Sequence, residues 1–294
     1  MQTFIKNIVI FIVGFLVINL IMYFFLFKPA IFDKYLFNEN KVDAYNVFLV
    51  SDSHGEFLGN TPSKNRIFNF SNTSENYLDM YLKVHYLTSI LSDKDTILLA
   101  IDNHNLSSYR NGFGRINENI IYADDFSEIE PAAIQSNFYF KRFTKYLPML
   151  EPEYNKSVIQ YATRPDSKSS KIKKYSDLSG KDKEKALTKR YLEQFENKTV
   201  SQQQKDYLKK IVDRCKAKNI TLVGLKFPIT KDYWQMIEKN DFGISAFWES
   251  ENLPVLDLHD MFFLNDEYFA DPDHMNKIGS ELFCKEIHRK LQEL

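Results

Sequence analysis

Two short segments of the sequence carry side chains that could perform nucleophilic catalysis. Ser53 lies directly after an apolar run, and Asp271 and His274 lie shortly before the C-terminal helical pattern. A histidine can take the proton of a serine hydroxyl, and a carboxylate can fix the tautomer of that histidine. The spacing of Asp271 and His274 brings both side chains within reach on one turn. The pattern therefore predicts a triad in which Ser53 is the nucleophile, His274 the general base and Asp271 its orienting partner.

Five short apolar runs predict the strands that position these residues. The runs end at polar or turn residues and alternate with segments of helical apolar periodicity. Continuous apolar strands are typical of a parallel sheet buried on both faces, so we expect a doubly wound α/β domain. The predicted strands are Asn46–Val50, Ile67–Phe70, Thr96–Ile101, Ile220–Phe227 and Pro254–Leu258. The predicted helices are Tyr77–Leu91, Gln204–Cys215 and Lys277–Leu291, with further helix-like segments at Pro131–Leu147 and Lys181–Phe195.

This topology predicts that Ser53 lies at the edge of the sheet where ligands bind. In an open α/β sheet the loop after the first strand lies at the carboxyl edge, where ligands bind. A serine at the start of a helix there can expose its hydroxyl, and the backbone N–H groups nearby can stabilise an oxyanion. Two structural alternatives stay open at this point. Ser53 could be a simple helix N-cap, and Asp271 and His274 could cap the final helix.

The motifs and their order resemble the SGNH (GDSL-type) hydrolase family over about residues 45–294. The matching blocks are Ser51-Asp52-Ser53 for the family's G-D-S, Ile101-Asp102-Asn103-His104 for G-x-N-D, and Asp271-Pro272-Asp273-His274 for D-x-x-H. The resemblance implies a three-layer α/β/α, flavodoxin-like parallel sheet that carries the triad. It also implies an oxyanion hole formed by the Ser53 backbone N–H and the Asn103 side-chain amide, with no metal or organic cofactor.

The sequence departs from the family pattern at its glycines. The glycines of the first and third blocks are replaced, and the run 69–74 after the second predicted strand contains none. The second backbone donor of the oxyanion hole is therefore not identified. These departures leave open a different class of function, that of a non-catalytic accessory protein in the assembly of an envelope polymer.

A metal-dependent reaction is a further alternative. The segment Asp52-Ser53-His54 resembles the Asp-x-His block of the calcineurin-like metallophosphoesterases, in which these residues help to bind two metal ions that activate a water. Under that hypothesis Asp52 and His54 are metal ligands. The later blocks of that family have no close counterpart here, and Asp102-Asn103-His104 is only a faint match.

An apolar stretch near the N-terminus predicts a membrane anchor. Residues 8–27 contain no charged side chain. A helix of that length rises about 30 Å, enough to cross the bilayer core. No small-x-small cleavage site follows, so we interpret residues 1–28 as an uncleaved transmembrane signal anchor. The lysines on either side of the span do not decide its orientation.

The remainder of the chain is predicted to form a stalk (29–45) and one SGNH-like domain (46–294). The alternation of strands and helices is interrupted at about 106–200, which predicts a mostly helical insertion. A lysine-rich run at 168–189 within it is typical of a solvated surface. The alternative is contact with anionic lipid headgroups or an anionic polymer.

Composition excludes several classes of function. The chain has 294 residues, a formal net charge of −1 and two cysteines. Nucleic-acid-binding domains usually carry a basic excess, so we expect no nucleic-acid partner. A disulfide scaffold or a cysteine-rich zinc module needs more cysteines than this chain has.

The resemblance and the anchor together indicate a substrate class. Membrane-tethered SGNH-like proteins commonly act on envelope polymers, for example in polysaccharide O-acetylation or D-alanyl transfer to teichoic acids. We therefore expect a single-pass membrane protein with an extracytoplasmic catalytic domain. The expected partners are an envelope polysaccharide or another acylated polymer and a membrane-bound acyl-transfer protein.

Overall fold

The computed structural model describes residues 1–25, 45–56, 58, 67–112, 114 and 174–293. The chain divides into two compact units. The first comprises residues 1–41 and 123–170, and its described part is a single N-terminal helix. The second comprises residues 42–122 and 171–294 and contains every candidate site residue.

Helix α1 (Gln2–Met22) makes up the described part of the first unit. The helical stretch Gln2–Phe25 has 24 residues and is long and apolar enough to cross a membrane. Its polar Asn19 donates the side-chain amide to the backbone oxygen of Phe15 at 2.8 Å. This bond satisfies the amide within the helix, as an apolar surrounding requires. The predicted stalk, residues 29–45, lies almost wholly outside the described residues.

Five parallel strands form one sheet in the second unit, in the order β2-β1-β3-β4-β5. The strands are β1 (Val47–Val50), β2 (Ile67–Asn69), β3 (Thr96–Ala100), β4 (Thr221–Lys226) and β5 (Val255–Asp257). All five predicted strands are confirmed, and so is their parallel pairing. The strand order changes direction between β1 and β3, so a crevice opens between the loops that follow these two strands.

The two central strands are buried on both faces, which explains their continuous apolar sequences. All four residues of β1 are buried, and Ile97–Ala100 in β3 have no exposed surface. The register places Val50 beside Leu99, so both strands end at nearly the same level. The residues that follow them therefore leave the sheet side by side.

Six helices accompany the sheet in the described part of the second unit. They are α2 (Tyr77–Ile90), α3 (Gly180–Gln194), α4 (Gln202–Ala217), α5 (Lys231–Met236), α6 (Ile244–Ser250) and α7 (Lys277–Leu291). Helices α2, α3, α4 and α7 confirm predicted helical segments. The short helices α5 and α6 were not predicted, because six or seven residues are too few to establish an apolar period. The helix-like segment Pro131–Leu147 lies outside the described residues.

The two ends of the predicted insertion lie side by side. Ser107 and Val200 form an isolated antiparallel bridge, and the backbone N–H of Ser108 donates to the oxygen of Thr199 at 2.8 Å. The chain therefore leaves the sheet after β3 and returns to the same place before α4. Helix α3 is the described helix of this region.

Helix α7 begins in close contact with the turn that precedes it. Asn276 caps the helix by accepting from the backbone N–H groups of Ile278 and Gly279, and it donates its amide to the oxygen of Glu267 at 2.7 Å. Position 279 has no room for a side chain, because a Cβ there would lie 2.3 Å from the carbonyl oxygen of Tyr268. This packing fixes the ends of the segment 269–276.

Replacing Gly279 by alanine is therefore expected to lower the free energy of unfolding by about 1–3 kcal/mol, since the turn at Tyr268 must move to admit the methyl group. Denaturant unfolding of the full chain in detergent measures the change. Gly180→Ala is the matched control, because a Cβ there meets no atom within 4 Å. It should change the free energy of unfolding by less than about 1 kcal/mol. Equal losses in the two variants would contradict the close contact at Gly279.

Candidate active site

Three segments of the second unit meet at the carboxyl edge of the sheet. Residues 51–55 follow β1, residues 101–105 follow β3, and residues 269–276 precede α7. The first two are adjacent because β1 pairs with β3. The third reaches them through side-chain contacts described below.

Ser53, His274 and Asp271 lie in hydrogen-bond contact, as the sequence analysis predicts. The Ser53 Oγ is 2.9 Å from the His274 Nε2. On the other side of the ring, the His274 Nδ1 is 2.9 Å and 3.1 Å from the two carboxylate oxygens of Asp271. In the neutral ring the Nδ1–H donates to the carboxylate, and the Nε2 lone pair is then directed at the serine hydroxyl. This is the geometry of a serine activated by a carboxylate-oriented histidine.

The turn before α7 places His274 through its own hydrogen bonds. The Asp271 Oδ1 accepts from the backbone N–H groups of Asp273 and His274 at 3.2 Å and 2.9 Å. The backbone N–H of Ala270 donates to the His274 oxygen at 2.8 Å and closes the turn. The Asp271 carboxylate therefore holds both the backbone of this turn and the imidazole.

The turn after β1 determines which backbone N–H groups near Ser53 are hydrogen-bonded. The Asp52 Oδ1 accepts from the backbone N–H of His54 at 3.0 Å, and the Asp52 oxygen accepts from Gly55 at 3.2 Å. Among the residues that the structure describes, the Ser53 backbone N–H has no hydrogen-bond acceptor. It is therefore available as a donor to a bound oxyanion.

Asn103 lies in the loop after β3, and its side chain is mostly buried. Its amide donates one hydrogen bond to the backbone oxygen of Asn240 at 2.9 Å, which leaves the second N–H of the amide for another acceptor. Asn103 and His54 line one small cavity of about 10 Å³, so the two loops face a common space. The role of Asn103 in the oxyanion hole stays a prediction.

A buried ion pair lies beneath the Ser53 turn. The Asp52 carboxylate is fully buried and accepts a hydrogen bond from the Arg110 guanidinium, which also contacts the Nε2 of His104. Burial and the Arg110 charge lower the pKa of His104 to about 4, so this ring is neutral and accepts from the arginine. Burial opposes ionisation of Asp52, but the charges of Arg110 and His54 outweigh it and hold the Asp52 pKa well below its ordinary value.

A second network of buried charged side chains lies next to His274. The buried His54 ring bonds Asp102 through Nδ1 at 2.7 Å and faces Asp273 through Nε2 at 3.4 Å. Asp273 in turn accepts two hydrogen bonds from the Arg190 Nε, at 2.8 Å and 2.9 Å. Burial lowers the pKa of His54, but the neighbouring carboxylates outweigh burial and raise it well above its ordinary value. His54 is thus a buried imidazolium between two carboxylates.

The neighbouring carboxylates also change the pKa of His274. Burial lowers its pKa, but the Asp273 charge and the hydrogen bond to Asp271 outweigh burial and raise the pKa to about 9. At neutral pH the ring is therefore protonated in most molecules. Its capacity to accept the Ser53 proton increases as the pH approaches 9.

Sequence reasoning missed the ionic partners of this site. The motif pattern singled out no role for Asp273, and it offered no reason to select Arg110 or Arg190. The two arginines lie 58 and 83 residues from the carboxylates that they bind, so no local pattern links them. Both come from the region predicted as an insertion. The one signal in the sequence is the histidine next to Ser53, and only the structure shows that it is buried among carboxylates.

Two groups of side chains in the described part of the chain have donor atoms spaced for a metal ion. They are Asp52, His54 and His104, and His54, Asp273 and His274, with all donor atoms of a group within 4.8 Å of one another. In each group an arginine already bonds the carboxylate, Arg110 at Asp52 and Arg190 at Asp273. A fixed guanidinium charge repels a metal ion at that position. The arrangement therefore lends no support to Asp52 and His54 as ligands of a two-metal centre.

No protein-family model matches the chain, and no curated protein matches it significantly.

Proposed function

We propose that the chain is a membrane-anchored, serine-dependent esterase or O-acyltransferase with an SGNH-like, three-layer α/β/α architecture. The observation that carries the proposal is the contact of Ser53 with His274 at 2.9 Å, together with the contact of the same ring with Asp271 at 2.9 Å. The strand order 2-1-3-4-5 supports the architecture, because it is the flavodoxin-like order and puts the site at its switch point.

In the first half-reaction the Ser53 Oγ attacks an ester carbonyl carbon while the His274 Nε2 takes its proton. The Ser53 backbone N–H, and the Asn103 amide as the predicted second donor, stabilise the negative oxygen that forms. His274 then passes the proton to the leaving alcohol oxygen, the ester C–O bond breaks, and the acyl group stays on Ser53.

In the second half-reaction an acceptor hydroxyl attacks the acyl-serine. His274 takes the proton of the acceptor and returns a proton to the Ser53 Oγ as the acyl–serine bond breaks. Water as acceptor makes the protein an esterase, and a polymer hydroxyl makes it a transferase. The Asp271 carboxylate stabilises the imidazolium that forms when His274 takes each proton.

Helix α1 supports a location at a membrane, since it is long and apolar enough to span one. We infer that it anchors the protein as a single-pass span and that the catalytic domain is extracytoplasmic. An envelope polysaccharide or another acylated polymer is then the substrate, with a membrane-bound acyl-transfer protein as donor. These inferences depend on the resemblance to membrane-tethered SGNH-like proteins.

A fluorophosphonate probe, which reacts with activated serines, tests the proposal. The probe should label the full chain in detergent, and peptide mapping should place the adduct on Ser53. His274→Gln should abolish labelling, because the hydroxyl then has no base. His259→Gln is the matched control, since His259 also bonds an aspartate, Asp257 at 2.6 Å, but lies outside the triad.

If the probe does not label the chain, a metal analysis distinguishes the two alternative functions. A folded chain that the probe does not label would favour the non-catalytic accessory protein. An unlabelled chain that purifies with two equivalents of transition metal would favour the metallophosphoesterase, with Asp52 and His54 as ligands.

Ester hydrolysis should increase with pH and level off near pH 9. Only neutral His274 can take the Ser53 proton, and the pKa of its imidazole is raised to about 9. The kcat/KM for an aryl acetate should therefore increase about tenfold per pH unit below the midpoint. The Ser53→Ala protein, measured in parallel, corrects for spontaneous hydrolysis. A profile that is already level at about pH 7 would contradict the raised pKa.

A further inference from the structure

His274 faces a second carboxylate besides Asp271. The Asp273 Oδ1 lies 3.3 Å from the same Nδ1 that bonds Asp271. The Asp273 side chain is only 1% exposed, whereas that of Asp271 is 37% exposed. Water therefore screens the charge of Asp273 less than the charge of Asp271, which is the aspartate of the D-x-x-H motif.

Arg190 of helix α3 holds this second carboxylate. Its Nε donates to both oxygens of Asp273, and Gln194, one turn later on the same helix, donates its amide to the Oδ2 at 3.2 Å. The Tyr233 hydroxyl donates to the Gln194 Oε1 at 2.7 Å and so fixes the orientation of that amide. Every donor in this arrangement is anchored on a helix.

The arginine also contacts the imidazole. Its terminal Nη2 lies 3.5 Å from the His274 Nδ1 and 3.4 Å from the Nε2. Nearly equal distances to both ring nitrogens place the guanidinium across the ring, so it does not occupy the lone pair that faces Ser53. The ring is thus held by its own turn through Asp271 and by helix α3 through Arg190 and Asp273.

We propose that Arg190 and Asp273 form a positioning pair for His274, which keeps the imidazole oriented toward Ser53 and balances the charge beside it. The pair acts through His274, and its assignment as part of a catalytic centre rests on the proposed serine-dependent function. Asp273 supplies a buried negative charge next to the ring, and Arg190 partly neutralises it. Removing either member should therefore change the proton affinity of His274, in opposite directions.

The charged and titratable groups around the pair come from every element packed against it. They are His54 and Asp102 from the loops after β1 and β3, Glu193 from α3, Tyr233 from α5, Tyr109 from the turn at 108–110, and Asp271 and His274 from the segment before α7. In both variants below His54 keeps its contact with Asp102.

The test is a titration of the His274 ring by NMR, on the full chain in detergent with ¹³Cε1-labelled histidine. His274→Gln assigns the signal among the six histidines. Asp273→Asn should lower the titration midpoint by at least about one pH unit, because the buried negative charge is lost while Arg190 stays. Arg190→Gln should raise the midpoint, because Asp273 is then unopposed, and Arg190→Lys should restore most of the original value.

Two surface variants control for the loss of a charge alone. Lys189→Gln removes an exposed cation next to Arg190 in sequence, and Asp260→Asn removes an exposed carboxylate. Both should leave the midpoint within about 0.2 pH units, since water and salt screen exposed charges.

Midpoints that stay unchanged, or that move in the same direction in both variants, overturn the positioning pair. Should Asp273→Asn fail to fold, Arg190→Gln and Arg190→Lys decide the question by themselves. The titration does not depend on turnover, so a positive titration without fluorophosphonate labelling would refute the proposed function and leave the pair intact. Fluorophosphonate labelling without the opposed shifts would support the proposed function and refute the positioning pair.

Discussion

Replacing Ser53 by alanine is expected to reduce the kcat/KM for aryl acetate hydrolysis by roughly 10⁴-fold or more, as loss of a triad nucleophile does. No other hydroxyl contacts the His274 Nε2 among the described residues, so no neighbour can replace the nucleophile. The free energy of unfolding should change by at most about 1 kcal/mol, because a single hydroxyl at the sheet edge is lost. Steady-state hydrolysis and denaturant unfolding measure the two effects on the same preparation.

Ser51→Ala is the matched control for this change. Ser51 lies two residues earlier, and its buried Oγ has no hydrogen-bond partner among the described residues. Its removal should leave hydrolysis within about twofold of the original value. If Ser53→Ala kept full activity, the triad would be excluded.

The triad should also act as a unit. His274→Ala should reduce hydrolysis about as much as Ser53→Ala, and the double variant should be no worse than either single one. Asn103→Ala should cost less, on the order of 10²-fold, if its amide is an oxyanion donor. Additive losses in the double variant would mean that Ser53 and His274 act in separate steps.

The second large effect concerns stability. Arg110→Met should lower the free energy of unfolding by about 3–5 kcal/mol at pH 8, because the fully buried Asp52 carboxylate then loses the guanidinium that it contacts directly. The deficit should shrink as the pH falls. Loss of the Arg110 charge removes one of the causes that lower the pKa of His104, and a protonated His104 can pair with Asp52 at 3.1 Å. Such stabilisation is present at low pH and is lost as the pH rises through the new pKa.

Arg289→Met provides the comparison for an arginine in a surface pair. Arg289 lies on α7 with its side chain 53% exposed and bonds Glu286 at 2.5 Å. Its replacement should lower the free energy of unfolding far less than Arg110→Met does at either pH, since exposed ion pairs contribute little. Equal losses for the two arginines would show that burial of Asp52 does not matter to folding.

The sheet could be predicted from the sequence because each strand is short, apolar throughout and ended by polar residues. Strands such as Val47–Val50 and Thr96–Ala100 are buried on both faces, so their composition alone distinguishes them from surface segments. The helices α5 and α6 escaped prediction for the opposite reason. They have fewer than two turns each and pack by particular contacts, such as Trp248 donating its indole N–H to the Pro254 oxygen at 3.0 Å.

The triad could be predicted in the same way, since Ser53 follows a strand and Asp271 and His274 share one turn. The ionic network could not. Arg110, Arg190 and Asp273 pair across distances in sequence that no local pattern bridges, and a charged side chain in a sequence looks alike whether it becomes buried or exposed. Only the three-dimensional packing decides that Lys189 faces solvent while Arg190 reaches the buried Asp273.

The buried cluster of charges also bears on how long the native state persists. Its contacts join residues 48, 58, 83 and 219 positions apart in the sequence. Contacts of such separation close long loops, and we expect them to form late in folding. Interactions that are absent from the transition state act on the unfolding rate, so variants that break the cluster should fold at nearly the original rate and unfold faster. We therefore expect the rate at which this cluster opens to limit the lifetime of the assembled site.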